Sequence, residues 1–193
     1  MFIVPGGKPQ RKIAGIGSGG LVKLMPTARA LNVAAIDVRL SKFTDKYSSF
    51  YFVMSNMQTP LDAFLQALVS GDGGVTWNTT TYSHVVSGAG CSATGFAQIS
   101  GAAAVDLSGA ALTSYSSGGD AGAIGGNLRI TNNDVALQYP KTFWETSHLY
   151  YTGAVSGTIG AGFVATAMKI NAVRFKSNSG NLTSGCVTVY GLT

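Results

Sequence analysis

Acidic side chains are scarce in this sequence: eight among 193 residues, of which Glu145 is the single glutamate. Helical bundles and coiled coils draw on Glu, Lys, Arg and Leu in bulk, so composition argues against a helical architecture. Charged residues of both signs reach 11%, against roughly a quarter in an average globular protein. A disordered chain needs the opposite balance, many charges and few apolar groups, whereas here 46% of residues are hydrophobic. Nowhere is there an uninterrupted apolar run of the roughly 18 residues that a membrane-spanning helix requires. Cysteine is limited to Cys91 and Cys186, too few for a small secreted disulfide scaffold. Whether those two pair is left open, with buried thiols the plainer reading in a reducing compartment. The apolar start Met1–Val4 is cut by Pro5-Gly6-Gly7 before a signal-peptide core can form, so synthesis in a cytoplasm is expected.

Small residues take the place of the missing charges. Glycine contributes 26 residues, close to twice its usual share of about 7%. Short alternating segments separated by Gly, Asn and Ser turns point to an all-β fold. Ile36, Val38 and Leu40 share one face opposite Asp37, Arg39 and Ser41. The segment 47–54 is dense in aromatic and β-favouring side chains. Residues 63–70 read as a strand in spite of helix-favouring Leu, Ala and Gln, because the run is short. Ser70-Gly71-Asp72-Gly73-Gly74 then predicts a hairpin turn with Val75-Thr76-Trp77 returning. Further strands are expected over 80–86, 128–131, 135–139, 142–151 and 158–163. Near the C-terminus, Met168 and Ile170 alternate one residue out of phase with Val173 and Phe175, the mark of a β-bulge. Residues 177–181 predict a second hairpin turn leading into a last strand over 186–190. Eight to ten short strands with glycine-rich turns indicate a β-sandwich of jelly-roll type. Residues 101–126 stand apart as an insertion, with 18 of 26 positions Gly, Ala or Ser.

The net charge of +5 is unevenly placed. Residues 1–46 carry eight basic and two acidic groups, while the remainder has five basic and six acidic ones. The sequence therefore divides into an extended N-terminal arm, 1–33, and a β-sandwich domain, 34–193. Lys8, Arg11, Lys12, Lys23 and Arg29 are the arm residues expected to dock on an acidic protein surface. No nucleic acid is expected as the partner, because these cations are dispersed and have no aromatics among them to stack on bases.

Signatures of catalysis are weak. Gly15-Ile16-Gly17-Ser18-Gly19-Gly20 fits a dinucleotide-binding spelling, but Pro26 breaks any following helix and no α/β alternation surrounds it. His84 and His148 are the only imidazoles, each two residues from a tyrosine and each read as a strand residue. A glycosidase would have to pair aspartates, or one aspartate with Glu145. The aspartates at 62, 72, 106, 120 and 134 lie beside turn residues, where they commonly bond their own backbone. No enzyme activity, metal or cofactor is expected. Aromatic side chains are the remaining recognition material, and Trp77, Tyr115 and Trp144 are the candidates for stacking on a sugar ring.

Three stretches carry a resemblance. They are Tyr47-Ser-Ser-Phe50-Tyr-Phe-Val-Met-Ser-Asn56-Met-Gln-Thr-Pro60, then Leu65-Gln-Ala-Leu-Val-Ser70-Gly-Asp72-Gly-Gly74-Val-Thr-Trp77 with Thr81-Tyr82, then Ile170-Asn-Ala-Val-Arg-Phe175 with Ser179-Gly180 and Val187-Thr-Val-Tyr190-Gly191-Leu192. In order and wording they resemble β-sandwich structural proteins of tailed bacteriophages. The resemblance covers roughly 34–86 and 150–193 and carries no catalytic residue. It implies a non-enzymatic virion component assembled in the host cytoplasm, tail- or fibre-associated and contributing to particle assembly and host-surface attachment. A capsid decoration protein clamping its neighbours through the arm is the alternative, and a carbohydrate-binding module a further one. Implied partners are other virion proteins, further copies of the chain (a trimer by analogy with fibres and shell vertices) and a surface glycan.

Overall fold

A computed structural model describes residues 20–60, 63–90, 93–108, 123–131, 138–149 and 155–192. In chain order the strands are β1 (Leu21–Lys23), β2 (Ala28–Val33), β3 (Ala35–Arg39), β4 (Ser49–Gln58), β5 (Leu65–Ser70), β6 (Tyr82–Gly90) and β7 (Ala93–Ala102). They continue with β8 (Val105–Asp106), β9 (Ile124–Thr131), β10 (Lys141–Leu149), β11 (Val155–Val164), β12 (Ala172–Ser177) and β13 (Leu182–Leu192). The fold is all-β, as composition and alternation predict. Nine strands form a large antiparallel sheet in the order β1-β13-β4-β9-β10-β11-β6-β7, with β2 also paired to β13. Four form a smaller one, β3-β12-β5-β8.

The sheets stack as a sandwich because most strands turn an apolar face inward. On β3, Ile36 and Val38 are buried while Asp37 and Arg39 are exposed; on β4, Phe50, Phe52 and Met54 point inward. Phe52 of the large sheet meets Phe175 of the small one with ring centroids 5.6 Å apart, and both rings are fully buried. Each such side chain contributes about 1.5–3 kcal/mol relative to exposure. Tyr82 bridges the sheets with its polar tip. Its buried hydroxyl accepts from the Val69 amide at 2.8 Å and donates to the Asn78 carbonyl at 3.0 Å. Burial pushes that phenol above its ordinary range.

Several local expectations are corrected. Residues 21–33, assigned to the arm, are strands β1 and β2 registered on β13, with Leu21 opposite Leu192 and Ala28 opposite Val187, and Ala30 lies in the core. The arm boundary is therefore too late, since the backbone groups of 21–23 and 28–33 are taken up by a sheet edge. Residues 75–77 do not return as a strand. The Asp72 carboxylate instead gathers the loop, accepting from the amides of Val75 at 3.0 Å and Thr76 at 2.9 Å and from the Ser70 hydroxyl at 2.6 Å. Those donors, Ser70 foremost and then Thr76, hold Asp72 well below the usual carboxylate range. The turn at 177–181 is no hairpin either: β12 pairs with β3 and β5, β13 with β2 and β4, so the chain crosses between sheets there.

The phase slip at 168–175 reflects a loop before β12, with Ile170 buried ahead of the strand. A bulge occurs instead where β4 crosses β13. Asn56 takes a left-handed φ of 52° and the pairing shifts between Ser184 and Cys186. Gly185 opposite has a φ of 121°, and a Cβ there would sit 2.6 Å from Met57 Cα. Positions 138 and 139 are not strand, and 135–137 lie outside the described residues. Cys186 is a free, half-buried thiol, while Cys91 lies outside them.

Candidate functional site on the sheet faces

The interior of the large sheet is built around an inversion. In β11 the sequence Thr158-Ile159-Gly160-Ala161-Gly162-Phe163 alternates apolar side chains with small ones, and apolar faces normally turn inward. Here the glycines turn inward and Ile159 and Phe163 face outward, 63% and 41% exposed. The cause is Trp144, on the neighbouring strand β10 and paired with Gly160. Its ring lies over β11 where a Cβ at Gly160 would come within 2.0 Å of it. His84 on β6 occupies the equivalent space beside Gly162, where an added Cβ would lie 2.6 Å from the His84 Cβ. The two rings meet edge to face, centroids 5.5 Å apart.

Both rings are core groups. Trp144 is 2% exposed and His84 3%. Among the described residues, Trp144 Nε1 and both His84 nitrogens have no hydrogen-bond partner. Burial holds the His84 imidazole below its ordinary value, and the Asp106 charge offsets part of that. Burial lowers His148 in the same way. Trp144 is thus corrected as a sugar-stacking candidate, because its ring does not reach the surface. Trp77 stays half-buried against the core, and one face of its indole is occupied by the Arg174 guanidinium at 4.3 Å. Arg174 in turn donates twice to Asp37, Nε to Oδ1 and Nη2 to Oδ2, both at 2.7 Å. Tyr115 lies outside the described residues, as do Lys8, Arg11 and Lys12. Lys23 and Arg29 are exposed on β1 and β2, with Lys23 reaching Thr27 at 3.3 Å. Of the candidate aromatics among the described residues, Trp144 is sealed in the core and Trp77 is stacked by Arg174.

What the structure does bring together is the outer face of the large sheet. Tyr51, Arg129, Phe143, Ala161 and Val85 stand side by side on β4, β9, β10, β11 and β6. Phe143 is 45% exposed and Val85 48%. On either side of Phe143 along β10 are Lys141, paired with Phe163, and Glu145, paired with Ile159. Of these, Tyr51, Arg129, Phe143, Glu145, Ile159 and Val85 line an open, mainly apolar groove of about 400 Å³. Lys141, Glu145 and Arg129 form no ion pair among the described residues, where the pairs are Lys169–Asp45 and Arg174–Asp37. Sequence reasoning passes over this face because Phe143 and Trp144 are adjacent and equally apolar. The glycines of β11 are the signal that names Trp144 as the inward one. Among the described residues no three His, Cys, Asp or Glu side chains gather as a metal site, and no helix is long and apolar enough to cross a membrane.

No protein-family model matches the chain, and no curated protein and no solved structure matches it either.

Proposed function

We propose that the chain is a non-enzymatic structural component of a tailed-phage virion, tail- or fibre-associated, which contributes to particle assembly and host-surface attachment. One observation supports this reading above others: the three stretches that resemble phage sandwich proteins, the third far from the first two in sequence, form a single unit in space. The first supplies β4 and the third β13, paired with Val187 opposite Met54 and Val189 opposite Phe52. The second supplies β5 and pairs with β12 from the third, placing Ala67 opposite Phe175. The Asp72 loop of the second stretch is tied to the third by Asn171, which accepts from the Gly73 amide at 2.6 Å and donates to the Gly71 carbonyl at 2.8 Å. Those stretches thus form a sandwich nucleus. The strands β10, β11, β6 and β7 extend it into a broad sheet whose outer face is left apolar, as a surface made for contact would be.

The test is the particle. Purified virions, labelled with an antibody to this chain and counted by quantitative mass spectrometry, should carry it at the tail in a few dozen copies or fewer. Hundreds of copies on the shell would turn the assignment to the capsid-decoration alternative, and absence from particles would remove both. Binding of the isolated chain to a glycan array with no presence in particles would favour a carbohydrate-binding module.

A further inference from the structure

We propose that the outer face of the large sheet is a self-association surface, on which a second copy of this chain packs face to face about a two-fold axis. The contact requires nothing of a virion and stands apart from that reading.

A two-fold contact needs a patch complementary to itself. Strand β10 presents outward the triplet Lys141, Phe143, Glu145, a cation, an aromatic ring and an anion at alternate positions. Turning such a strand end for end over a copy of itself lays Phe143 on Phe143 and each lysine on the other copy's glutamate. The required axis lies between the two sheets and runs across the strands along the row Tyr51–Arg129–Phe143–Ala161–Val85. The same operation keeps each strand over its counterpart. On β11 it sets Ile159 of one copy against Phe163 of the other, because these two flank Ala161 symmetrically. On β6 it sets Val85 against Val85. Arg129 also lies on the axis row and so falls over the copy's Arg129, a like-charge contact that Glu145, diagonal to it on the neighbouring strand and within the usual cross-strand reach, is placed to offset.

Two further features fit this occupant better than a sugar or an unrelated protein. The three charges that border the apolar strip have no ion-pair partner among the described residues, and the copy supplies one of opposite sign for both Lys141 and Glu145. The lining of the groove is also mainly apolar, which suits another sheet face packed about 10 Å away and gives a polar glycan little to bond.

Charge reversal provides the test. In sedimentation and native mass spectrometry of the full chain, the wild type should be a dimer at micromolar concentration. K141E leaves the triplet with two anions and E145K leaves it with two cations. Each alone should dissociate about tenfold more readily, since like charges then face each other. Mixing K141E with E145K should give a heterodimer, and the double variant K141E/E145K should recover the dimer because the order is merely inverted. I159E should abolish association with an unchanged circular dichroism spectrum. A wild type that stays monomeric at 100 μM, roughly a hundred times the expected dissociation constant, would overturn the proposal. So would a trimer or dimer insensitive to both single reversals, or a mixture of the two variants that fails to pair.

Discussion

The outer faces of the two sheets are finished in opposite ways. On the small sheet Arg174 lies between Asp37, bonded through two nitrogens at 2.7 Å, and the indole of Trp77, 4.3 Å from the guanidinium. The carboxylate of that cluster and two of the guanidinium nitrogens are thus paired within the chain. On the large sheet Lys141, Arg129 and Glu145 have no ion pair among the described residues around Phe143, Ile159 and Phe163. Both faces are crossed by alternating strands, so strand propensity does not separate them. The difference lies in which side chains claim the interior. A face completed by its own side chains has little left to offer a partner, whereas one that puts its apolar positions outward gains by being covered.

Four measurements bear on that contrast. The largest effect is expected at the inversion itself. G160A places a methyl group 2.0 Å from the Trp144 ring, so it should cost about 3 kcal/mol or more in urea unfolding, the range of a severe overpacking. A wild-type midpoint for G160A would mean that the ring does not lie over β11, and the outward placement of Ile159 would lose its cause.

The histidine beside that ring makes the same interior sensitive to acid. His84 titrates below its ordinary value of 6.5 in the folded chain, through burial that Asp106 only partly offsets, and burial lowers His148 as well. Below pH 6.5 the unfolded chain therefore binds protons that the folded chain does not, so stability is full above that value and declines as the pH falls through it. Thermal melts between pH 7.5 and 5 should show the decline, and H84Q should flatten it. An unchanged slope in H84Q would place the acid sensitivity elsewhere.

On the small sheet, R174A removes the forked pair and the stacked cation together. The side chains involved are about one-third exposed, so a loss of about 1 kcal/mol is expected by chemical denaturation. R174K should recover only part of it, because an ammonium lacks the fork. The smallest effect belongs to the large-sheet face: I159S in the isolated monomer should change stability by no more than about 0.5 kcal/mol. A loss comparable to that of G160A would show Ile159 to be a core residue after all, and the contrast between the faces would collapse.

Much of the local structure is legible in the residues. The alternation of Ile36, Val38 and Leu40 announces β3 with its buried face, and the short apolar run at 65–70 is a strand despite its helix-favouring composition. Scarcity of glutamate and abundance of glycine point to β structure before any strand is located. The candidate site was not legible in the same way. Trp77 and Trp144 look alike as lone tryptophans, yet one is stacked by Arg174 and the other sealed inside. Lys23 and Arg29 look like arm cations, yet their backbone belongs to strands on β13.

Local chemistry decided that the chain forms strands, where most of them run, and which residues bend it, as at Asp72. A period of two divides each strand into two faces, however, without stating which one another layer will cover. That choice, and the choice of partners, rests on contacts between residues far apart in the chain. Residues 177–181 read as a hairpin turn but carry the chain from one sheet to the other, because β12 and β13 pair with strands more than a hundred residues upstream. Ile159 faces water because the Trp144 ring, set by the pairing of β10 with β11, fills the space on the opposite side. Burial is a property of the assembled sheets, and it was there that β11 lost its apolar face to the solvent.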